Sequence, residues 1–171
     1  MEQPKYRRVL LKISGEALAG DDKYGLNFDV LNTVAAAIKE CCEAGAQIGL
    51  VVGGGNIWRG VKNGSGSPYF STDTAAALRA AEIHADALLL AKNIDGVYDA
   101  DPAKVPDAKK FDEISYAEVL RRGLGVMDTT ATALAMDNNI PVVVFALKDP
   151  GNIKRVLMGE KLGTYVGTDV E

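Results

Sequence analysis

Gln47-Ile48-Gly49-Leu50-Val51-Val52-Gly53-Gly54-Gly55-Asn56 (QIGLVVGGGN) is the stretch that decides the fold. Its first six residues carry no charge, and Ile48, Val51 and Val52 are β-branched, so they read as a buried strand. A strand apolar on both faces belongs in a parallel sheet covered by helices; a sheet with one wet face would alternate polar and apolar residues. The three glycines that follow lack Cβ atoms. They let the main chain approach a ligand and aim N–H groups at an anion. A tight turn is the alternative, but tight turns rarely need three consecutive glycines. The run is neither a Walker loop, since no G-x-x-x-x-G-K-[ST] occurs, nor the dinucleotide G-x-G-x-x-G.

Working outward, Arg7 to Ile13 (RRVLLKI) is a second apolar strand, broken by Ser14-Gly15-Glu16. From Phe28 to Glu43, Val30, Val34, Ile38 and Cys41 recur at helical spacing, and Gly45 ends the helix. Downstream, Thr72 to Ile83 is helical in composition, with Ser71, Thr72 or Asp73 available as N-cap. Asp86 to Ala91 reads as a strand, Asp95 to Tyr98 as the start of a polar turn region, and Pro102 to Asp112 as a surface loop. Helices are expected over Ser115 to Arg122, Thr129 to Asn138 and Asn152 to Met158, and strands over Pro141 to Leu147 and Gly163 to Val166. Apolar strands alternating with amphipathic helices predict a parallel or mostly parallel sheet covered on both sides. The low-complexity patch Asn63-Gly64-Ser65-Gly66-Ser67 reads as a flexible linker.

The 171 residues suit one domain with a substantial core. The apolar share of 47% and charged share of 25% are those of an ordinary globular protein. No apolar run approaches the roughly 20 residues of a membrane span, and the start lacks a secretory apolar stretch. Cytoplasmic residence is therefore expected. A formal charge of −4 argues against broad binding to a nucleic-acid backbone but leaves room for small anions. Cys41 and Cys42, adjacent in one helical pattern, read as reduced structural thiols, Cys41 on the apolar face. The one histidine, His84, reads as a surface residue at a helix end.

Ligands of open α/β sheets bind beyond the carboxyl ends of the strands. Lys12 lies at one such end, where it either meets a ligand or snorkels to water. Gly53-Gly54-Gly55-Asn56 is at another and leads towards Arg59, whose planar fork suits phosphate. Gly66 to Asp73 feeds the Ala-rich helix, and its hydroxyls and N–H groups serve either as a second anion seat or as a plain N-cap. Asp95, Asp99 and Asp101 lack the closing Glu of a calcium loop, so a solvated turn is the simple reading. Tyr98 can flank a nucleobase or merely pack. Asp128 either caps a helix or orients Lys12.

VLLKISGEAL (Val9 to Leu18), VVGGGNIWRG (Val51 to Gly60), PYFSTDTAAALRAAEI (Pro68 to Ile83), DGVYDADP (Asp95 to Pro102) and GVMDTTA (Gly125 to Ala131) together resemble the bacterial uridylate (UMP) kinase family of the amino-acid-kinase superfamily. The resemblance covers nearly the whole chain. It implies a three-layer αβα sandwich, a hexameric assembly, and transfer of the γ-phosphoryl of ATP to UMP, with Mg2+ arriving on the nucleotide. It implies that Lys12, Ile13, Ser14, Gly15, Gly55 and Arg59 surround the ATP phosphates. Lys92, Asn93, Tyr98 and Asp101 would lie around the adenine and ribose. Gly54, Ser65, Gly66, Ser67, Pro68, Tyr69, Phe70, Ser71 and Thr72 match UMP-contacting positions. Lys12 and Arg59 would neutralise the transferred group, Asp128 would hold Lys12, and Asp73 would fix the acceptor loop or help organise magnesium.

The chain departs from the family between these motifs. A long segment separates GGGN…RG from G-T-G-N-P-[FY]-F in the family; here eight residues, Gly60 to Ser67, separate Arg59 from Pro68. The expectation is a shortened single domain over residues 1–171, with an internal deletion or splice near 61–67. The segment missing by this comparison includes an acidic residue that reads the acceptor, a subunit-pairing helix and further strands. Its loss would expose apolar surface and leave ATP binding better preserved than UMP turnover.

Overall fold

The computed structural model of the chain describes residues 3–22, 24–57, 71–125, 127–168 and 170. Four parallel strands form its spine: β1 (Arg8–Ile13), β2 (Gln47–Val52), β3 (Ala87–Lys92) and β7 (Val142–Ala146). They belong to a six-stranded sheet among the described residues, ordered β2-β1-β3-β7-β8-β6. The last two are β8 (Thr164–Gly167), antiparallel to β7, and β6 (Glu113–Ser115), parallel to β8. A separate antiparallel hairpin pairs β4 (Val97–Tyr98) with β5 (Lys110–Phe111).

The period of two along each strand sorts the core into two halves. Leu10, Leu88, Leu90, Val142 and Val144 face one side, against α3 (Thr72–Glu82), α4 (Tyr116–Arg122) and α5 (Thr129–Asp137). Val9, Leu11, Ile13, Leu89 and Phe145 face the other, against α2 (Phe28–Glu43) and α6 (Asn152–Leu157). Leu88, Leu89 and Leu90 are all fully buried, each worth about 1.5–3 kcal/mol of transfer free energy. The small Ala76, Ala77 and Ala80, also fully buried, let α3 lie close on its face. The three-layer αβα sandwich and the mostly parallel sheet therefore stand.

Helix punctuation follows local chemistry. The Asn27 side chain accepts from the N–H groups of Asp29 and Val30 at the start of α2. Ser71 and Thr74 form a reciprocal capping box on α3. Gly123, at φ 61°, closes α4 in the left-handed conformation that glycine adopts without strain. Cys41 is buried and Cys42 exposed, as the helical pattern places them. His84 is exposed just beyond α3, at φ 51°.

Some expectations are corrected. The stretch from Gln47 to Val52 is a strand but not a buried one: it forms the sheet edge, and Leu50 and Val52 are 50% and 45% exposed. An apolar run reports strand propensity, whereas burial needs a neighbour on each side. Ser14-Gly15-Glu16 ends β1 by opening a one-turn helix, α1 (Gly15–Leu18), rather than a loop. The loop read over Pro102 to Asp112 contains β5. β6 had no alternating or apolar pattern to announce it, since pairing with β8 alone defines it.

Candidate active site

Three loops meet at the carboxyl ends of β1, β2 and β3. β1 lies between β2 and β3, so the chain reverses its direction of travel across the sheet here, and such a point opens a crevice for ligands. Gly53 N donates to Ile13 O at 2.9 Å, and Ser14 N donates to Ala91 O at 3.1 Å. Gly15 is pressed so closely on Gly53 O and the Asn56 side chain that any Cβ there would collide. Its glycine is needed for loop-on-loop packing. A Cβ on Gly54, by contrast, would meet no atom of the described residues within 4 Å, which leaves room for a group to approach its main chain.

Lys12 and Lys92 point to the same side because each continues the face of the sheet that Leu10, Leu88 and Leu90 occupy. α3 covers that face, and Asp73 in its first turn comes down between them. Lys12 Nζ is 2.8 Å from Asp73 Oδ1, and Lys92 Nζ donates to Asp73 Oδ2 at 2.8 Å. The approach of Lys12 is an ion pair out of line for a hydrogen bond, so buried Oδ1 has no aligned donor. One carboxylate thus sits between two ammonium groups, and the Asp128 carboxylate is near enough to act on Lys92 as well. Burial pushes the Lys92 ammonium below the ordinary lysine value; Asp73 opposes this shift and Lys12 adds to it.

Asp128 belongs to the same region but not to Lys12. It caps α5 by accepting from Ala131 N at 2.8 Å, and it accepts from the hydroxyls of Thr74, at 2.8 Å, and Ser71. Burial opposes its ionisation, yet the hydrogen bonds from Ser71 and Ala131 N outweigh burial and hold its carboxyl below the usual range. Where Asp128 was expected to hold Lys12, it is Asp73, in the first turn of α3, that pairs with Lys12 in this structure, while Asp128 at the N-cap of α5 bonds to Ser71, Thr74 and Ala131 N. Asp128 instead ties the N-termini of α3 and α5 together.

The positions expected around adenine and ribose are distributed over three places. Lys92 joins the Lys12–Asp73 pair. Asn93, just past the end of β3, lines a cavity of about 880 Å³ with Glu16, Asp29 and Lys148. Tyr98 and Asp101 line another of about 510 Å³, with Ile94, Arg122 and Leu124. Ile13 buries its side chain in the α2 core, and its carbonyl is occupied by Gly53. Ser71 and Thr72 open α3, with Thr72 Oγ1 beside Gly53. Arg59, Ser65, Gly66, Ser67, Pro68, Tyr69 and Phe70 lie outside the described residues. Asp95, Asp99 and Asp101 diverge to separate partners: Tyr98 and Lys110, Lys109 N, and Ala103 N respectively.

Sequence reasoning did not join Lys92 to Lys12. The signal was present in the matched parity of the two strands, LLK (10–12) and LLLAK (88–92), each ending in a lysine on the α3 face. The donor set is one of ammonium groups and open main chain, which suits phosphate oxygens. Among the described residues no group of three His, Cys, Asp or Glu is placed to hold a metal ion. No helix of the described residues is long and apolar enough to cross a membrane.

Comparison with known proteins agrees with this geometry. The UMP kinase of Bacillus anthracis superposes with a TM-score of 0.87 at 28% identity, over 96% of this chain and 97% of that one. The UMP kinase of Ureaplasma parvum gives 0.83 at 28% identity, over 96% and 100%. The uridylate kinase of Archaeoglobus fulgidus, at 24% identity and a TM-score of 0.77 over 93% and 99%, shares the fold. The sequence model described as the amino acid kinase family matches residues 59–146, just over half of the chain. A mostly parallel αβα sandwich with a lysine-lined crevice at its switch point, together with these matches, shows that the chain belongs to the amino acid kinase family.

Proposed function

We propose that the chain is a nucleotide kinase that transfers the γ-phosphoryl of ATP to UMP, giving ADP and UDP, as a cytoplasmic step of pyrimidine nucleotide synthesis. The observation that carries this reading is the buried Lys12–Asp73–Lys92 cluster, which brings two ammonium groups to the crevice. Phosphoryl transfer needs placement and charge neutralisation more than a protein nucleophile. The acceptor's phosphate oxygen forms the new bond to Pγ as the bond from Pγ to the ADP oxygen breaks. Lys12 and Lys92 offset charge on the transferring oxygens, and Asp73 fixes both ammonium groups. The main chain at Gly54, with Gly55 and Arg59 as the resemblance implies, supplies further donors. Tyr98 and Asp101 border the cavity assigned to the nucleoside end of ATP. Mg2+ arriving with the nucleotide would supply further charge neutralisation at the phosphates. The family resemblance supports a homo-oligomer.

A second reading, nucleotide binding without turnover, is favoured by the short Gly60–Ser67 junction. The exposed Leu50 and Val52 on the strand just before it are what removal of neighbouring strands would leave. An ADP-release assay with Mg-ATP, with and without UMP and with other phosphate, carboxylate and carbamate acceptors, separates the two. UMP-dependent ADP formation is the expected result. ATP binding by calorimetry with no acceptor-dependent release would establish the second reading.

A further inference from the structure

The hairpin β4–β5 carries Tyr98 and Asp101 to their cavity, yet it pairs with no strand of the main sheet. Within the hairpin, Asp95 accepts from Tyr98 Oη at 2.7 Å and from Lys110 Nζ at 3.1 Å, which sets the tyrosine ring against its own loop. Those bonds do not say where the loop sits on the body of the protein. β8 does: Tyr165 N donates to Asp112 O at 2.9 Å just past β5, and a hydroxyl one residue earlier reaches both strands of the hairpin. Thr164, fully buried, accepts from Val97 N at 2.8 Å and donates to Phe111 O. Val97 and Phe111 are cross-strand partners, so one side chain engages both strands of the hairpin at one rung.

Only a hydroxyl can accept and donate in this way at that size. The approach is close enough that a Cβ on Gly96 would lie 2.6 Å from Thr164 Oγ1, so the glycine and the threonine are matched. Val97 is buried in the α3–α5 half of the core, and the Arg122 guanidinium lies 5.6 Å from the Phe111 ring centre. Both contacts hold the hairpin down, the Tyr165 N bond to Asp112 O sets the end of β5 against β8, and Thr164 ties β4 to that same place.

We propose that Thr164 is a positioning residue of the donor-nucleotide site: it pins the β4–β5 hairpin to the sheet and thereby places Tyr98 and Asp101 for the nucleoside. This rests on the reading of the crevice as an ATP site. Thr164→Val keeps the shape and removes both hydrogen bonds, whereas Thr164→Ser keeps the bonds. Mg-ATP binding by calorimetry is expected to weaken about tenfold in Thr164→Val, the size of a lost buried hydrogen-bond set, and to stay near wild type in Thr164→Ser. Amide hydrogen exchange across residues 95–111 should quicken in the valine variant alone. Gly96→Ala, which pushes on Thr164 from the hairpin side, should reproduce the valine result and serves if that variant does not fold. A valine or Gly96→Ala variant that exchanges faster but binds Mg-ATP like wild type would overturn the proposal. Wild-type protein that binds no Mg-ATP would overturn the donor-site reading itself, and this inference with it.

Discussion

Among the described residues two clusters share one pattern, a carboxylate between two cations, but one is buried between strands and a helix and the other lies exposed along a single helix. Asp73 between Lys12 and Lys92 has side chains only 11%, 9% and 18% exposed. Glu118 between Arg121 and Arg122 has side chains 26%, 68% and 42% exposed. The outer cluster has good geometry, with Arg121 bidentate on Glu118 at 2.6 and 2.7 Å. Even so, water and salt screen it, and such pairs contribute little. The inner cluster has given up most of its hydration, so its charges act at full strength on each other and on any anion that enters. Geometry alone does not mark a site; desolvation of the charged groups does.

The sharpest way to break this contrast is Asp73→Ala, which leaves two ammonium groups buried against each other. Loss of a buried partner of this kind costs about 3–5 kcal/mol, to be read from urea denaturation, and phosphoryl transfer should vanish with it. A denaturation midpoint unchanged by the substitution would place the lysines in water and end the comparison. Lys92→Met should separate stability from turnover. It leaves Lys12 and Asp73 balanced, so the thermal midpoint should hold or rise, while turnover falls about 10²-fold for loss of one transition-state donor. Equal losses in both would mean that Lys92 is structural only.

A smaller effect is expected from pH. Lys92 sits below its ordinary value of 10.5 because burial disfavours its charged form. The unfolded chain therefore binds more protons than the folded one in the window beneath 10.5, and stability rises with pH through that window. Mg-ATP affinity moves the other way as Lys92 loses its charge, so its alkaline limb should begin below the ordinary lysine range and disappear in Lys92→Met. The smallest effect belongs to the outer cluster. The arginine hydrogen bonds hold Glu118 down at about 2 against an ordinary 4.5, so what it contributes is present above 4.5 and lost as pH falls towards 2. At an exposed site that contribution is screened. Glu118→Gln should leave the midpoint at neutral pH and the Mg-ATP affinity unchanged, and a clear loss in either would show that exposure does not divide the two clusters.

Much of the fold was legible because its elements are locally determined. The helix Phe28–Glu43 and the strand Gln47–Val52 have the same bounds in sequence and structure, since Asn27, Gly45 and the glycine run punctuate them with side chains or with absent ones. β6 was invisible, as was the exposure of Leu50 and Val52, because both depend on which strand lies alongside. In the site, the loops at Lys12, Gly53–Asn56 and Ser71–Asp73 were recognisable from apolar runs ending in glycine, lysine or capping residues. The partnership within them was not. Asp73 and Asp128 both lie at helix starts near hydroxyls in the sequence, and nothing local says which of them meets the lysine.

The sequence by itself determined the alternation of strands and helices, the glycine loops at strand ends, and the two lysines on one face of β1 and β3. Periodicity, propensity and chain stereochemistry are properties of neighbours along the chain. Only the tertiary structure decided that Asp73 rather than Asp128 joins Lys12 to Lys92, that Thr164 engages the hairpin, and that β2 is an edge. Those are contacts between segments tens of residues apart, and they are fixed by the order of strands in the sheet and by the height at which each helix starts above it.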